Sequence, residues 1–123
     1  MQQAKRHYSL DEYFGVEEMS EIRHEYFDGE IVAMSGGSRN HNQIAQNLTR
    51  AFDSVRARGC RAYLTDLRLK TPSGLYTYPD VMLICGDAAL TPDNLETVTN
   101  PIVIAEVLST STRDYDRGQK FDL

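Results

Sequence analysis

The chain lacks any apolar run near the roughly 20 residues that a membrane-spanning helix needs, which sets aside a helical membrane protein. Its N-terminus, MQQAKRHYSLDEYF, has no apolar core of the kind a secretory signal carries. Cysteine is scarce. Cys60 and Cys85 stand alone, with no CxxC and no His or Asp at a motif spacing. That argues against a thiol-ligated metal and against cysteine nucleophiles. It predicts two reduced packing thiols and a cytoplasmic protein. There is no internal repeat, low-complexity tract or linker. SGGS (35–38) lacks the GK[ST] ending of a phosphate loop, and Asp28 stands where a zinc protease would place its second His after His24-Glu25.

What remains is a 123-residue chain of ordinary composition, enough for one domain with its own core. Its net charge of −5 argues against a general nucleic-acid coat, but the charge is unevenly spread. Residues 31–75 carry seven basic and two acidic side chains, between flanks that are net negative. A basic middle suits either a polyanion footprint or a solvated surface.

Ser9-Leu-Asp-Glu12 has the pattern of a capping box and predicts a helix over 10–19. Asp28-Gly29 between aromatic and branched residues predicts a hairpin with strands at 23–27 and 30–35. Ile44, Leu48, Phe52 and Val55 mark one face of a helix over 41–58, capped by Ser38 or Asn40 and ended at Gly59. Alternation over 60–70 predicts a strand with one wet face. After the turn TPSGLY, YPDVMLIC (78–85) reads as a mostly buried strand. A polar connection follows, and then PIVIAEVL (101–108), the most apolar strand and so expected at the centre of a sheet. Ser109–Thr112 offers caps for a last helix reaching Leu123. The pattern is that of an α/β or α+β domain with helices on a sheet.

Two acids interrupt strands that otherwise look dry: Asp80 and Glu106. A buried carboxylate is costly unless it is paired, hydrogen-bonded or metal-bound. If the two strands are neighbours, one register brings both acids to the same sheet end. A cation between them would relieve their repulsion, and oxygen donors of this kind suit Mg²⁺ or Mn²⁺. The plainer alternative for each acid is a solvent-facing strand end or a salt bridge.

Y-P-D-V at 78–81, E-V-L-S-T-S-T at 106–112 and D-R-G-Q-K-F at 116–121 together resemble the Uma-type restriction endonuclease family of the PD-(D/E)xK nuclease superfamily. HEYFDGEIVAMSGGSRNH, upstream, is similar as well, so that the resemblance covers about residues 8–123. It implies a restriction-endonuclease-like mixed central sheet flanked by helices, with an N-terminal β-hairpin. It also implies a metal-dependent DNA endonuclease in which Asp80 and Glu106 hold Mg²⁺ (or Mn²⁺), with the backbone carbonyl of Val107 as a further ligand. By the same pattern Glu25 lies on the hairpin near the site, as a direct or water-mediated ligand, and Glu30 is the weaker candidate.

The chain departs from the superfamily's acid-x-Lys pattern at residue 108, which is leucine. The expected substitute is Lys120, reaching the site from the following helix, with Gln119 as the weaker alternative. His41 is left between an anion-facing role at a helix start and structural packing. The expected organisation is a single nuclease-like domain over 1–123, cut short after its last helix begins. The missing continuation and the paired cutting common among nucleases both point to a homodimer. The alternative is a catalytically silent module of the same fold, acting in binding or assembly. A small-molecule enzyme has no support beyond the acids.

Overall fold

The computed structural model describes residues 6–35, 37–64, 66–92 and 96–108. The capping box forms as expected. Ser9 Oγ accepts from the Glu12 amide at 3.1 Å, and the Glu12 carboxylate accepts from the Ser9 amide at 3.0 Å. Helix α1 runs Leu10–Met19 from this cap. The hairpin follows, with β1 at His24–Phe27 and β2 at Glu30–Ala33, Phe27 opposite Glu30. Asp28 (φ 49°) and Gly29 (φ 80°) supply the two positive dihedrals of a tight type I′ connection. Glycine is required twice over at 29, since a Cβ there would also meet the His7 ring at 2.3 Å.

Helix α2 runs Arg39–Ala51, with Ser38 Oγ accepting from the His41 amide, and tightens into a 3₁₀ helix over Phe52–Arg58. Gly59 ends it at φ 81°. Its inward face is rotated from the expected one. Ala45 is buried, whereas Ile44 is 46% exposed. The turn of helix that meets the sheet is therefore the one carrying His41 and Ala45, and this brings polar residues of α2 toward the strand ends.

The stretch 60–70, expected as one continuous strand, is divided between two sheets, and the strand expected over 78–85 is preceded by a short strand of the other sheet where a turn was expected. Residues 60–70 give β3 (Cys60–Leu64) and β4 (Arg68–Lys70). Residues 76–85 give β5 (Tyr76–Thr77) and β6 (Val81–Cys85). With β7 (Thr97–Val98) and β8 (Val103–Ala105), the strands form a five-stranded sheet, β2-β1-β5-β4-β7, and a three-stranded one, β3-β6-β8. All pairings are antiparallel except β4 with β7. The break between β5 and β6 has a chemical cause. Pro79 has no N–H to donate to a ladder, so Tyr78-Pro79-Asp80 becomes the crossing from one sheet to the other.

The core contains Leu69, Met82, Ile84 and Val98, with Tyr63 and Leu67 packed against them. A second cluster stacks Tyr13 on Tyr26 (centroids 5.1 Å apart), with Phe14 and Tyr76 at its edges. Together they give a mixed α+β fold of two helices and two sheets, the class expected. The expectation that 101–108 forms a central strand is not met. Among the described residues β8 pairs only with β6, and Ile102 and Ile104 are 62% and 41% exposed. An apolar run was taken to mean burial on both faces, and β8 is apolar without it.

The cysteines are also corrected. They form a disulfide, Cys60–Cys85. The β3–β6 register sets the two residues directly opposite across a 25-residue separation, a proximity that no local spacing encodes. Thiol titration of the denatured, unreduced protein is expected to find no free cysteine, and two reactive thiols would contradict the pairing.

Candidate active site

Asp80 lies at the junction of the two sheets, just ahead of β6, and is buried. The β6–β8 register pairs Val81 with Ala105. Continued by one residue, it sets Asp80 opposite Glu106. The two strands are thus antiparallel neighbours, the condition that a pairing of the two acids needs. Asp80 is held by two groups. Its Oδ2 accepts the Val107 amide N–H at 2.6 Å and lies 3.2 Å from His41 Nε2. One carboxylate oxygen thus ties the start of β6 to the chain leaving β8 and to the first turn of α2.

His41, which the sequence left between two roles, is brought to Asp80. Gly37 makes room for it, since a Cβ at 37 would lie 2.6 Å from His41 Nδ1. The pattern that could have revealed His41 is its place four residues before buried Ala45, on the inward turn of α2 rather than on the Ile44 face. Val107 enters the site through its amide, whereas its carbonyl was the expected contributor. Glu106 and Leu108 are half-buried beside it.

Glu25 is buried on β1, in the five-stranded sheet, and accepts from the Thr77 hydroxyl at 2.9 Å. Thr77 lies three residues before Asp80; of the expected acids, Asp80 lines the cleft, and Glu25 and Glu106 do not. Lys120 and Gln119 lie outside the described residues.

The cleft has a volume of about 200 Å³. Arg23, His41, Asn42, Gln46, Tyr78 and Asp80 supply its polar lining. Behind it runs a buried polar network. Tyr78 donates to Glu17 Oε2 at 2.7 Å, and Glu17 Oε1 meets His24 Nδ1 at 2.6 Å. Arg68 donates to the Tyr78 hydroxyl at 3.3 Å and to Thr97 Oγ1 at 2.9 Å. Burial, and then the hydrogen bond to Glu17, raise the Tyr78 phenol above its ordinary value. Tyr78 therefore stays a neutral donor, fixing the residue two before Asp80.

The donor set fits a hard divalent cation. Among the described residues no three His, Cys, Asp or Glu side chains gather closely enough to hold an ion by themselves. A closed zinc site needs four such donors. Mg²⁺ is ordinarily bound through one or two carboxylates, with water and substrate phosphate completing the shell. Asp80 and Glu106 match that requirement. Asp80 Oδ1 is not used by the Val107 or His41 contacts.

The chain is similar to several known proteins. A family model described as "Uma2: Putative restriction endonuclease" matches residues 10–123. Two proteins of Synechocystis sp. are similar. The one named uncharacterized protein sll1609 is 40% identical over 112 residues, which cover 89% of this chain and 63% of that protein. The one named uncharacterized protein slr1290 is 39% identical over 117 residues, covering 94% and 60%. The chain thus spans about three fifths of the length of these curated relatives. The crystal structure of a protein from Anabaena variabilis, titled a putative nuclease belonging to DUF820, shares the fold. Its TM-score is 0.64 at 21% identity, over 82% of this chain and 59% of that one.

Proposed function

The chain belongs to the Uma2 family, and from that premise we propose that it is a metal-dependent DNA endonuclease hydrolysing phosphodiester bonds at the Asp80 cleft. What supports this reading is the antiparallel pairing of β6 with β8, whose register continued by one residue would bring Glu106 opposite Asp80, together with the clamping of Asp80 by Val107 N–H and His41. Two carboxylates at adjacent strand ends, supported from a third element, form a preorganised oxygen site.

Asp80 and Glu106 would hold Mg²⁺ or Mn²⁺, which when bound supplies Lewis-acid polarisation of the phosphate and a more acidic water. The residues of the chain do the rest. The Val107 amide and the His41 ring fix the Asp80 rotamer. Tyr78, anchored to Glu17, fixes the backbone that leads into Asp80. To Lys120 we assign the stabilisation of charge on the phosphate, the role that Leu108 cannot fill. To Glu25 we assign an outer, water-mediated part from the neighbouring sheet. The reading has the protein act in the cytoplasm, where DNA is available, and as a homodimer able to address both strands; the Cys60–Cys85 disulfide removes the reduced-thiol argument for that location.

The test is nicking of supercoiled plasmid with Mg²⁺ or Mn²⁺ and with EDTA. Metal-dependent conversion to open-circular and linear forms is expected. Salt-dependent DNA binding with no cutting under any divalent cation would replace this reading with that of a silent binding module.

A further inference from the structure

We propose that Arg23 and the exposed polar edge of α2, Asn42 and Gln46, form a phosphate-binding subsite beside Asp80, a reading that rests on the nuclease function above. The cleft that these residues line with Asp80 is where a phosphodiester has to sit if Asp80 acts on it. Carboxylates alone repel a phosphate. A metal between them offsets only part of that charge, so the cleft needs a second positive group. Among the described residues lining it, Arg23 is the one side chain that is always cationic.

Three observations set Arg23 apart from an ordinary surface arginine. Its guanidinium carbon lies 5.7 Å from the centroid of the Tyr78 ring, and Tyr78 is anchored by Glu17. The guanidinium therefore lies within cation–π range of an anchored ring. Its Nε is shielded from solvent and has no hydrogen-bond partner among the described residues. A buried donor left unmade is destabilising, and a ligand oxygen in the cleft would satisfy it. Third, its ion pair, from Nη1 to Asp66, is replaceable. The Asp66 side chain is 93% exposed, and such pairs contribute little. A phosphate oxygen pair matches the fork of Nε and a terminal nitrogen, which Asp66 engages on one side only.

The neighbours suit the same ligand. Asn42 and Gln46 are exposed along one edge of α2, linked by a 2.6 Å hydrogen bond between their side chains. They add neutral donors of the kind that position a nucleic-acid backbone. At about 30 Å³ per water the cleft of about 200 Å³ has room for roughly six waters. That is enough for a phosphate group with part of its hydration.

The experiment measures binding of a short DNA duplex in EDTA, by fluorescence anisotropy across a salt series, with plasmid nicking alongside. Relative to wild type, Arg23→Ala is expected to bind about tenfold more weakly, with the salt slope shallower by about one. Arg23→Lys, which keeps the charge and loses the fork, is expected in between. Asp66→Ala, which removes the competing carboxylate, is expected to bind as well as wild type or better. Wild-type affinity and slope in Arg23→Ala, with the wild type cutting normally, would overturn the subsite alone. Equal weakening in Asp66→Ala would also overturn it, by showing that the ion pair acts structurally. If the wild type neither binds nor cuts DNA, the nuclease reading fails and the subsite with it.

Discussion

Asp80→Asn is expected to lower metal-dependent cleavage by at least about 10³-fold while the protein stays folded. The size follows from the job assigned to the carboxylate. Positioning a divalent cation supplies several kcal/mol of transition-state stabilisation, and each 1.36 kcal/mol is about tenfold in rate. The choice of asparagine follows from the contacts. Asp80 Oδ2 accepts the Val107 N–H and meets His41 Nε2. An asparagine oxygen can still accept the Val107 amide, so the tie between β6 and the end of β8 survives. Alanine would leave that amide unpaired, and loss of fold would be confused with loss of chemistry. Activity is read by plasmid nicking, and folding by circular dichroism and a urea midpoint. Wild-type nicking by folded Asp80→Asn would remove Asp80 from the reaction.

Arg68→Ala is expected to cost about 3–5 kcal/mol of stability, the penalty typical of removing one member of a buried charged network. Arg68 is 6% exposed. It joins β4 to β7 through Thr97 and reaches Glu17 on α1 through the Tyr78 hydroxyl. Its guanidinium also lies over Phe14, 4.8 Å from the ring centroid, and near Tyr13 at 5.7 Å. Without it, buried Glu17 keeps only His24 and a phenol, and the aromatic cluster gains a void. Arg68→Lys keeps the charge but cannot serve Thr97 and Tyr78 with a planar fork, so it recovers only part of the loss. Urea unfolding with an unchanged m value measures both. A midpoint for Arg68→Ala equal to that of wild type would show that the network is not what binds α1 to the sheet.

Local signals were readable from the chain in full. The capping box at Ser9, the Asp28-Gly29 turn and the Gly59 helix end each depend on residues within a few positions, and each forms as expected. The two acids also raised the question of whether their strands are neighbours, and β6 and β8 do pair. Long-range features were not readable. The disulfide depends on the β3–β6 register, and the edge position of β8 depends on which strands lie beside it. Alternation over 60–70 and the apolar run over 78–85 mark extended chain but say nothing of the crossing between sheets at Pro79. Arg23 and Arg68 look alike as basic residues in the sequence. One lines the cleft and the other is buried among aromatic rings, a distinction made only by the packing of α1 and Tyr78.

The central claim is that Asp80 and Glu106 together hold a divalent cation. Calorimetric titration of Mn²⁺ into the folded protein, and into Asp80→Asn and Glu106→Gln, tests it without relying on cleavage. The account predicts saturable binding by the wild type that is lost in both variants. A folded wild type that takes up no Mn²⁺, or variants that bind it as the wild type does, would contradict it.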